Sequence, residues 1–282
     1  MAFWWHVALS LSQKPRVIFI SMALALFALP SAAGVCPDLP DQPDMSLQEA
    51  EFKAAWRWFA EPYSVYDYAG QRERAPLGLG HLRVGPSGDG YYDWPRKIVL
   101  PLWQEPGGKF LAWVRSGLVI PADGTKAFPL SGAGVVETDY EQSTIIIRAV
   151  EGDWLQLRYR VGEEGLTWAH RCHLELGEIN LSYQSWQELL FEHGDWLSFR
   201  ADVPHMLRAG PSTDSEKIAI IGLDHKLKLQ NIEGDWMQVE VTQPDLTCTS
   251  SDQKFSVTTH TGWVKWRDNE VGPWVWYYTR GC

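Results

Sequence analysis

Cationic charge is in short supply in this chain: 25 Lys and Arg stand against 35 Asp and Glu over 282 residues, a formal net charge of −10 with histidine neutral. Nucleic acid and anionic lipid are recognised through clustered Lys and Arg, so both are poor partners. Long apolar runs are also missing. The run Val17 to Leu29, broken by a single serine, falls short of the ~20 residues that cross the hydrocarbon of a bilayer, so no stable membrane insertion is expected. Catalytic signatures are equally scarce: there is no Gly-x-Ser-x-Gly, no His-Glu-x-x-His and no phosphate-cradling glycine loop. The carboxylates are scattered among turns in the manner of solvated faces. The reading is of a protein that is not an enzyme and takes no cofactor. What the chain does have is 45% hydrophobic residues, with 13% aromatic, against 21% charged, a balance that buries cores rather than staying disordered.

The beginning of the chain reads as an address. Lys14 and Arg16 precede the apolar run, Pro30 ends it, and the small residues Ser31, Ala32 and Ala33 follow. That order is a secretory signal peptide over residues 1–33, with cleavage before Gly34. Export to the periplasm or beyond places the four cysteines, Cys36, Cys172, Cys248 and Cys282, where disulfides persist. Four cysteines allow three connectivities. Pairing Cys248 with Cys282, both within the last domain, leaves Cys36 with Cys172; free buried thiols are the alternative. His170, Cys172 and His173 invite a metal reading, but the stretch lacks a second cysteine or histidine pair at zinc-site spacing, so no metal is expected.

A repeat organises the remainder. Val150-Glu151-Gly152-Asp153-Trp154-Leu155-Gln156-Leu157 returns as Ile232-Glu233-Gly234-Asp235-Trp236-Met237-Gln238-Val239. Each copy reads as a Gly-Asp turn opening a strand of period-two alternation. A second Trp-bearing strand follows each, at Trp168 and at Trp263, and the second copy carries the longer insertion, which is polar and contains Cys248. Two capping boxes predict short helices, Ser46 with Glu49 before Leu47 to Glu61, and Ser185 with Glu188 before a helix stopping near Gly194.

Upstream of the second copy lie Leu207-Arg208-Ala209-Gly210-Pro211-Ser212, then Gly222, Lys226 and Lys228, then Gly234-Asp235-Trp236 and Gly262-Trp263-Val264. This succession resembles the bacterial SH3 (SH3b) family of extracytoplasmic modules over roughly 80 residues from Val203 onward. The resemblance implies an all-β fold of two small SH3-like barrels in tandem, the first degenerate, with short decorating helices. The domains are then residues 34–94, an N-terminal helix and loop segment; 95–200, the degenerate barrel with its linking helix and an insertion around Ala122 to Gly134; and 201–282, the SH3b-like domain.

Alternation along Trp236 to Val241 puts Met237, Val239 and Val241 on one face and Trp236, Gln238 and Glu240 on the other. A small barrel fills itself with aliphatic side chains, so Trp236 lies either in an outer groove or packed beneath the Cys248 insertion or against the first barrel. Trp236 also coincides with the ligand-groove tryptophan of SH3 domains. The family's proline-peptide binders need a Pro and a Tyr after the Gly-Trp-Val strand, where Lys265 and Trp266 stand here, which argues against proline-motif recognition. The ligand-binding set is therefore Trp236, Gln238, Trp263, Trp266, Trp274 and Tyr277, rings suited to stacking on a sugar or anchoring a peptide. The expected partner is a cell-wall peptide or glycan; docking to another envelope protein, or regulation of a cell-wall enzyme, is the alternative.

Overall fold

The computed structural model describes residues 35–43, 63–64, 78–84, 94–130, 135–139, 142–159, 165–194, 197–199, 205–222, 225–243, 257–268 and 272–277. The leader through residue 34, the helix expected over Leu47 to Glu61, and Cys248 and Cys282 lie outside them.

Strands dominate. A first sheet is built from β1 (Tyr63–Ser64), β2 (Gly80–Val84), β3 (Val99–Trp103), β4 (Phe110–Arg115), β5 (Leu118–Pro121), β6 (Phe128–Pro129), β7 (Val135–Asp139), β8 (Gln142–Glu151), β9 (Trp154–Arg158), β10 (Leu166–His170) and β11 (Leu181–Ser185). A second comprises β12 (Leu197–Phe199), β13 (His205–Arg208), β14 (Lys217–Ile221), β15 (Lys226–Glu233), β16 (Trp236–Gln243), β17 (Thr258–Lys265) and β20 (Val275–Tyr277), while β18 (Arg267–Asp268) and β19 (Gly272–Pro273) form a short ribbon. Helix α1 (Trp94–Lys97) precedes β3 and helix α2 (Trp186–Glu192) follows β11 directly; a 3-10 turn, Arg171–His173, ends β10.

The sequence repeat is a structural repeat. In the first sheet β8, β9, β10, β3 and β4 are neighbours in that order; in the second, β15, β16, β17, β13 and β14 are neighbours in the same order. Each copy pivots on a two-residue hairpin. Glu151 pairs with Trp154 around Gly152-Asp153, and Glu233 pairs with Trp236 around Gly234-Asp235. Gly152 and Gly234 have φ of 58° and 57°, the conformation a II′ hairpin requires at its first central residue, where a Cβ would be strained. Each turn aspartate then takes a second bond through its carbonyl, Asp153 from the Arg171 N–H at 2.9 Å and Asp235 from the Trp266 N–H at 3.0 Å. The turn therefore ties together both ends of the three-strand unit.

Alternation sorts the faces as period two demands. Met237, Val239, Val241 and Val264 are fully buried in the core of the second sheet, while Leu155, Leu157 and Ala169 are buried in that of the first with Leu100, Leu102 and Val114. Gly262 is a point of close approach in the second sheet. A Cβ there would lie 2.7 Å from the Arg208 carbonyl oxygen and 2.9 Å from Leu207 Cγ, so only glycine lets β13 settle against β17.

The predicted capping box at α2 is present: the Ser185 hydroxyl accepts from the Glu188 N–H at 3.2 Å, and the Glu188 carboxylate accepts from the Ser185 N–H at 2.8 Å. Trp186, Leu189 and Leu190 of this helix pack into the second core together with Leu197 and Phe199, and Ile146 of β8 joins them. Residues 186–199 thus pack with the second copy. Among the described residues neither sheet closes by hydrogen bonding, but the second curls until Phe199 of β12 stacks on His205 of β13 at 4.0 Å.

Candidate ligand-binding face

Three of the residues singled out from the sequence share one solvent-side row. Directly opposed residues of an antiparallel pair project from the same face. Gln238 of β16 faces Trp263 of β17, Trp263 faces Arg208 of β13, and Trp236 faces Lys265 one step along the ladder. On the other flank Asn231 faces Gln238 and Lys228 faces Glu240. Trp236, Gln238 and Trp263 are all half-buried, which leaves part of each side chain in solvent above the buried face of Met237, Val239 and Val264. Arg208, whose place on this row the sequence motif contained but its alternation did not reveal, donates to the Ser215 carbonyl at 2.8 Å, so its stem crosses the row while its head braces the β13–β14 turn.

The other expected residues fall elsewhere. Trp266 is 1% exposed, its indole N–H donating to the Gly234 carbonyl at 3.0 Å; it seals the hairpin from inside and presents nothing to a ligand. Arg267 lies against its ring at 5.3 Å while bonding Asp235 at 2.6 Å. Trp274 sits beside His205 at 6.1 Å, at the curled end of the sheet, and burial pushes His205 down to about 4. Tyr277 pairs through its backbone with Leu197 on β20, the edge strand on the far side of β15 and β12.

The first copy repeats the row, with Trp154, Gln156 and Trp168 likewise half-buried, and changes the residue on its third strand. Gln156 faces Trp168, and Trp168 faces Trp103, which stands where Arg208 stands in the second copy. Trp103 is 4% exposed, meets Trp154 edge-on at 5.3 Å and stacks on His173 at 5.4 Å. A stretch without regular secondary structure, residues 35–43, meets the 3-10 turn and β4 of this sheet. It is anchored at one end by the Cys36–Cys172 disulfide, the pairing expected from the sequence. At the other end Trp113 donates its indole N–H to the Asp41 carbonyl at 2.9 Å and Arg115 bonds the Gln42 side chain at 2.8 Å. Trp113 heads a small outer cluster with Leu118, Ile120 and Ala127. The corresponding strand of the second copy, β14, is an edge of its sheet and exposes Ile218 and Ile220, the latter by 66%.

A separate cleft of about 260 Å³ opens beside β4 and β5 in the first sheet, with Gln104, Lys109, Phe110, Asp123, Thr125 and Tyr159 in its wall. Asp123 is held below the usual carboxylate range by Thr125, whose hydroxyl and N–H both donate to it; its charge is committed to the turn it closes.

Comparison of the chain with family models, with characterised proteins and with solved structures returned no match.

Proposed function

We propose that this is a non-catalytic, extracytoplasmic binding protein built from two SH3-like units, the first degenerate, and that the second unit recognises an extended peptide of the cell envelope through Trp236, Gln238 and Trp263. The observation that carries the reading is the duplicated unit. In the first copy β4 is paired with β5, and its Trp113 donates the indole N–H to the Asp41 carbonyl of the protein's own chain. In the second copy the counterpart strand, β14, is among the described residues an open edge with exposed isoleucines, two strands from the half-buried ring of Trp263 and three from that of Trp236. An open edge near partly exposed aromatic rings has the hydrogen-bonding character to take an extended backbone. Partly exposed tryptophans anchor such ligands well, since each ring buries a large apolar area and loses little side-chain freedom. The exposed Cys36–Cys172 bond fits an oxidising compartment, and the acidic balance of the chain fits a ligand other than nucleic acid or anionic lipid.

The test is retention of the full chain on purified peptidoglycan sacculi, with free stem peptide and with free glycan strands as separate competitors. Retention that stem peptide competes away, and that Trp263→Ala weakens, supports the reading. Competition by glycan alone overturns the peptide assignment, and no retention at all overturns the envelope-wall ligand in favour of a protein partner.

A further inference from the structure

The metal reading of His170, Cys172 and His173 fails in sequence for want of another ligand, and the fold supplies that ligand from 136 residues away. Cys36 Sγ lies 3.3 Å from His173 Nε2, and Cys172 Sγ lies 2.8 Å from His170 Nδ1. The donor atoms of Cys36, Cys172 and His173 are all within 4.8 Å of one another. Both imidazoles are held in place: His173 is 3% exposed and stacked on Trp103, and His170 is 2% exposed with Trp154 edge-on at 4.9 Å. Their other ring nitrogens, His170 Nε2 and His173 Nδ1, are buried with no hydrogen-bond partner. Both cysteines, in contrast, are exposed.

We propose that this cluster is a reduction-gated site for a thiophilic tetrahedral cation such as Zn²⁺, with Cys36, Cys172 and His173 as ligands and solvent in the fourth position, while His170, whose Nδ1 accepts the Cys172 N–H at 3.3 Å, holds the turn. Two thiolates and an imidazole are a donor set that selects tetrahedral d¹⁰ ions over harder cations. With bond lengths usual for zinc, the donors of such a site stand about 3.4–3.8 Å apart. The sulfur–nitrogen separations already approach that range, so the rearrangement needed is separation of the two sulfurs. The oxidised pair cannot ligate in this way, because the sulfurs of a disulfide are neutral, carry no thiolate charge and are held at bonding distance from each other.

The gating step balances. A dithiol donor reaches the exposed bond and its thiolate attacks one sulfur; the S–S bond breaks, and the donor's second thiolate displaces the mixed disulfide. Two electrons and two protons arrive at Cys36 and Cys172, and the donor leaves as its own disulfide. Binding Zn²⁺ then forms two S–Zn bonds and releases the two thiol protons to solvent. In either state residues 35–43 remain fastened to the 3-10 turn, by a covalent bond when oxidised and by a shared metal when reduced.

The experiment uses the full chain with Cys248→Ser and Cys282→Ser, so that one thiol pair remains. It is reduced with a dithiol, freed of reductant without air, and titrated with Co²⁺, then Zn²⁺. The expected result is one ion per chain, tetrahedral Co²⁺ absorption with thiolate charge transfer, loss of that spectrum on adding Zn²⁺, and no binding by the oxidised protein. Cys36→Ser abolishes the charge-transfer band, and His173→Gln weakens binding at least ~10-fold, on the scale set by coordination-sphere changes. Should the double-serine chain lack the near-ultraviolet dichroism of the wild type, the same titration is run on the wild type against its Cys36→Ser variant. A Cys36→Ser spectrum equal to the parent's, equal binding by the oxidised chain, or a reduced chain that binds nothing overturns the proposal.

Discussion

His81 on β2 sets up a stability change with pH whose direction its burial dictates. The side chain is 3% exposed, packs on Trp186 of α2 at 4.8 Å and makes one side-chain hydrogen bond, Nε2 to the Gln184 carbonyl oxygen at 3.0 Å. Its Nδ1 is buried without a partner. Arg83, which also donates to Gln184 at 2.8 Å, brings a positive charge to the same spot. A protonated ring would have to lose its hydration with only a shared amide oxygen to receive it, so burial above all lowers the His81 pKa from 6.5 to about 4. Because the unfolded chain binds the proton more readily, stability is fully present above pH 6.5 and is lost as pH falls from there to about 4. At ~1.4 kcal/mol per unit, that depression is worth about 3 kcal/mol across the window. The assay is urea unfolding by tryptophan fluorescence from pH 7.5 to 4.5 for the wild type and for His81→Phe, which keeps an aromatic ring against Trp186 and cannot titrate. The variant's stability curve should be flatter, by up to ~1.4 kcal/mol per pH unit near pH 5.5. Parallel curves, or an NMR titration of His81 with its midpoint near 6.5, would refute the reasoning.

Other expectations follow from the two faces and the seam. Val239→Ala removes two carbons from a fully buried site and should cost about 2–3 kcal/mol, seen as a melting temperature lower by about 5–10 °C with ligand affinity unchanged at low temperature. Trp236→Ala should do the reverse, weakening retention on the envelope ligand by about 1–3 kcal/mol with melting nearly unchanged; unfolding of that variant would sink the surface assignment. Gly262→Ala forces a methyl against the Arg208 carbonyl and Leu207, so chemical denaturation should show a loss of about 1–3 kcal/mol, with binding falling alongside because Trp263 is the next residue. Trp186→Ala empties a site where the indole meets Trp276 at 5.1 Å and donates to the Gly78 carbonyl at 3.1 Å; calorimetry should show a loss of about 3–5 kcal/mol.

What could be read from the sequence was local, and what could not was carried by distant chain. The hairpins were legible because Gly152 and Gly234 meet a backbone demand that the two neighbouring residues define, and the core face of β16 was legible because alternation acts within a single strand. The box at Ser185 is likewise complete within four residues. The same alternation carried one step further assigns Trp266: Trp263 points out, Val264 in, Lys265 out, and so Trp266 in, as its 1% exposure records. Counting it with the surface aromatics gave residue type more weight than period. The pairing of Cys36 with Cys172 came from placing the other two cysteines in the last domain, and no local rule reaches His173, which the turn after β10 brings against both Cys36 and Trp103. The two tryptophan rows are nearly the same in sequence and alike in exposure, Trp154, Gln156 and Trp168 being half-buried as Trp236, Gln238 and Trp263 are. What separates them is the strand alongside, where Trp103 is 4% exposed, packed on Trp154 and His173, and Arg208 is half-buried. Whether a duplicated row binds is therefore decided by the residue that its third strand contributes. Trp103→Arg should give the first row the polar head of the second, and the ligand stoichiometry measured by calorimetry should rise from one per chain toward two. A stoichiometry that stays at one, with near-ultraviolet dichroism unchanged, would mean that the row with its polar head does not by itself make the binding face.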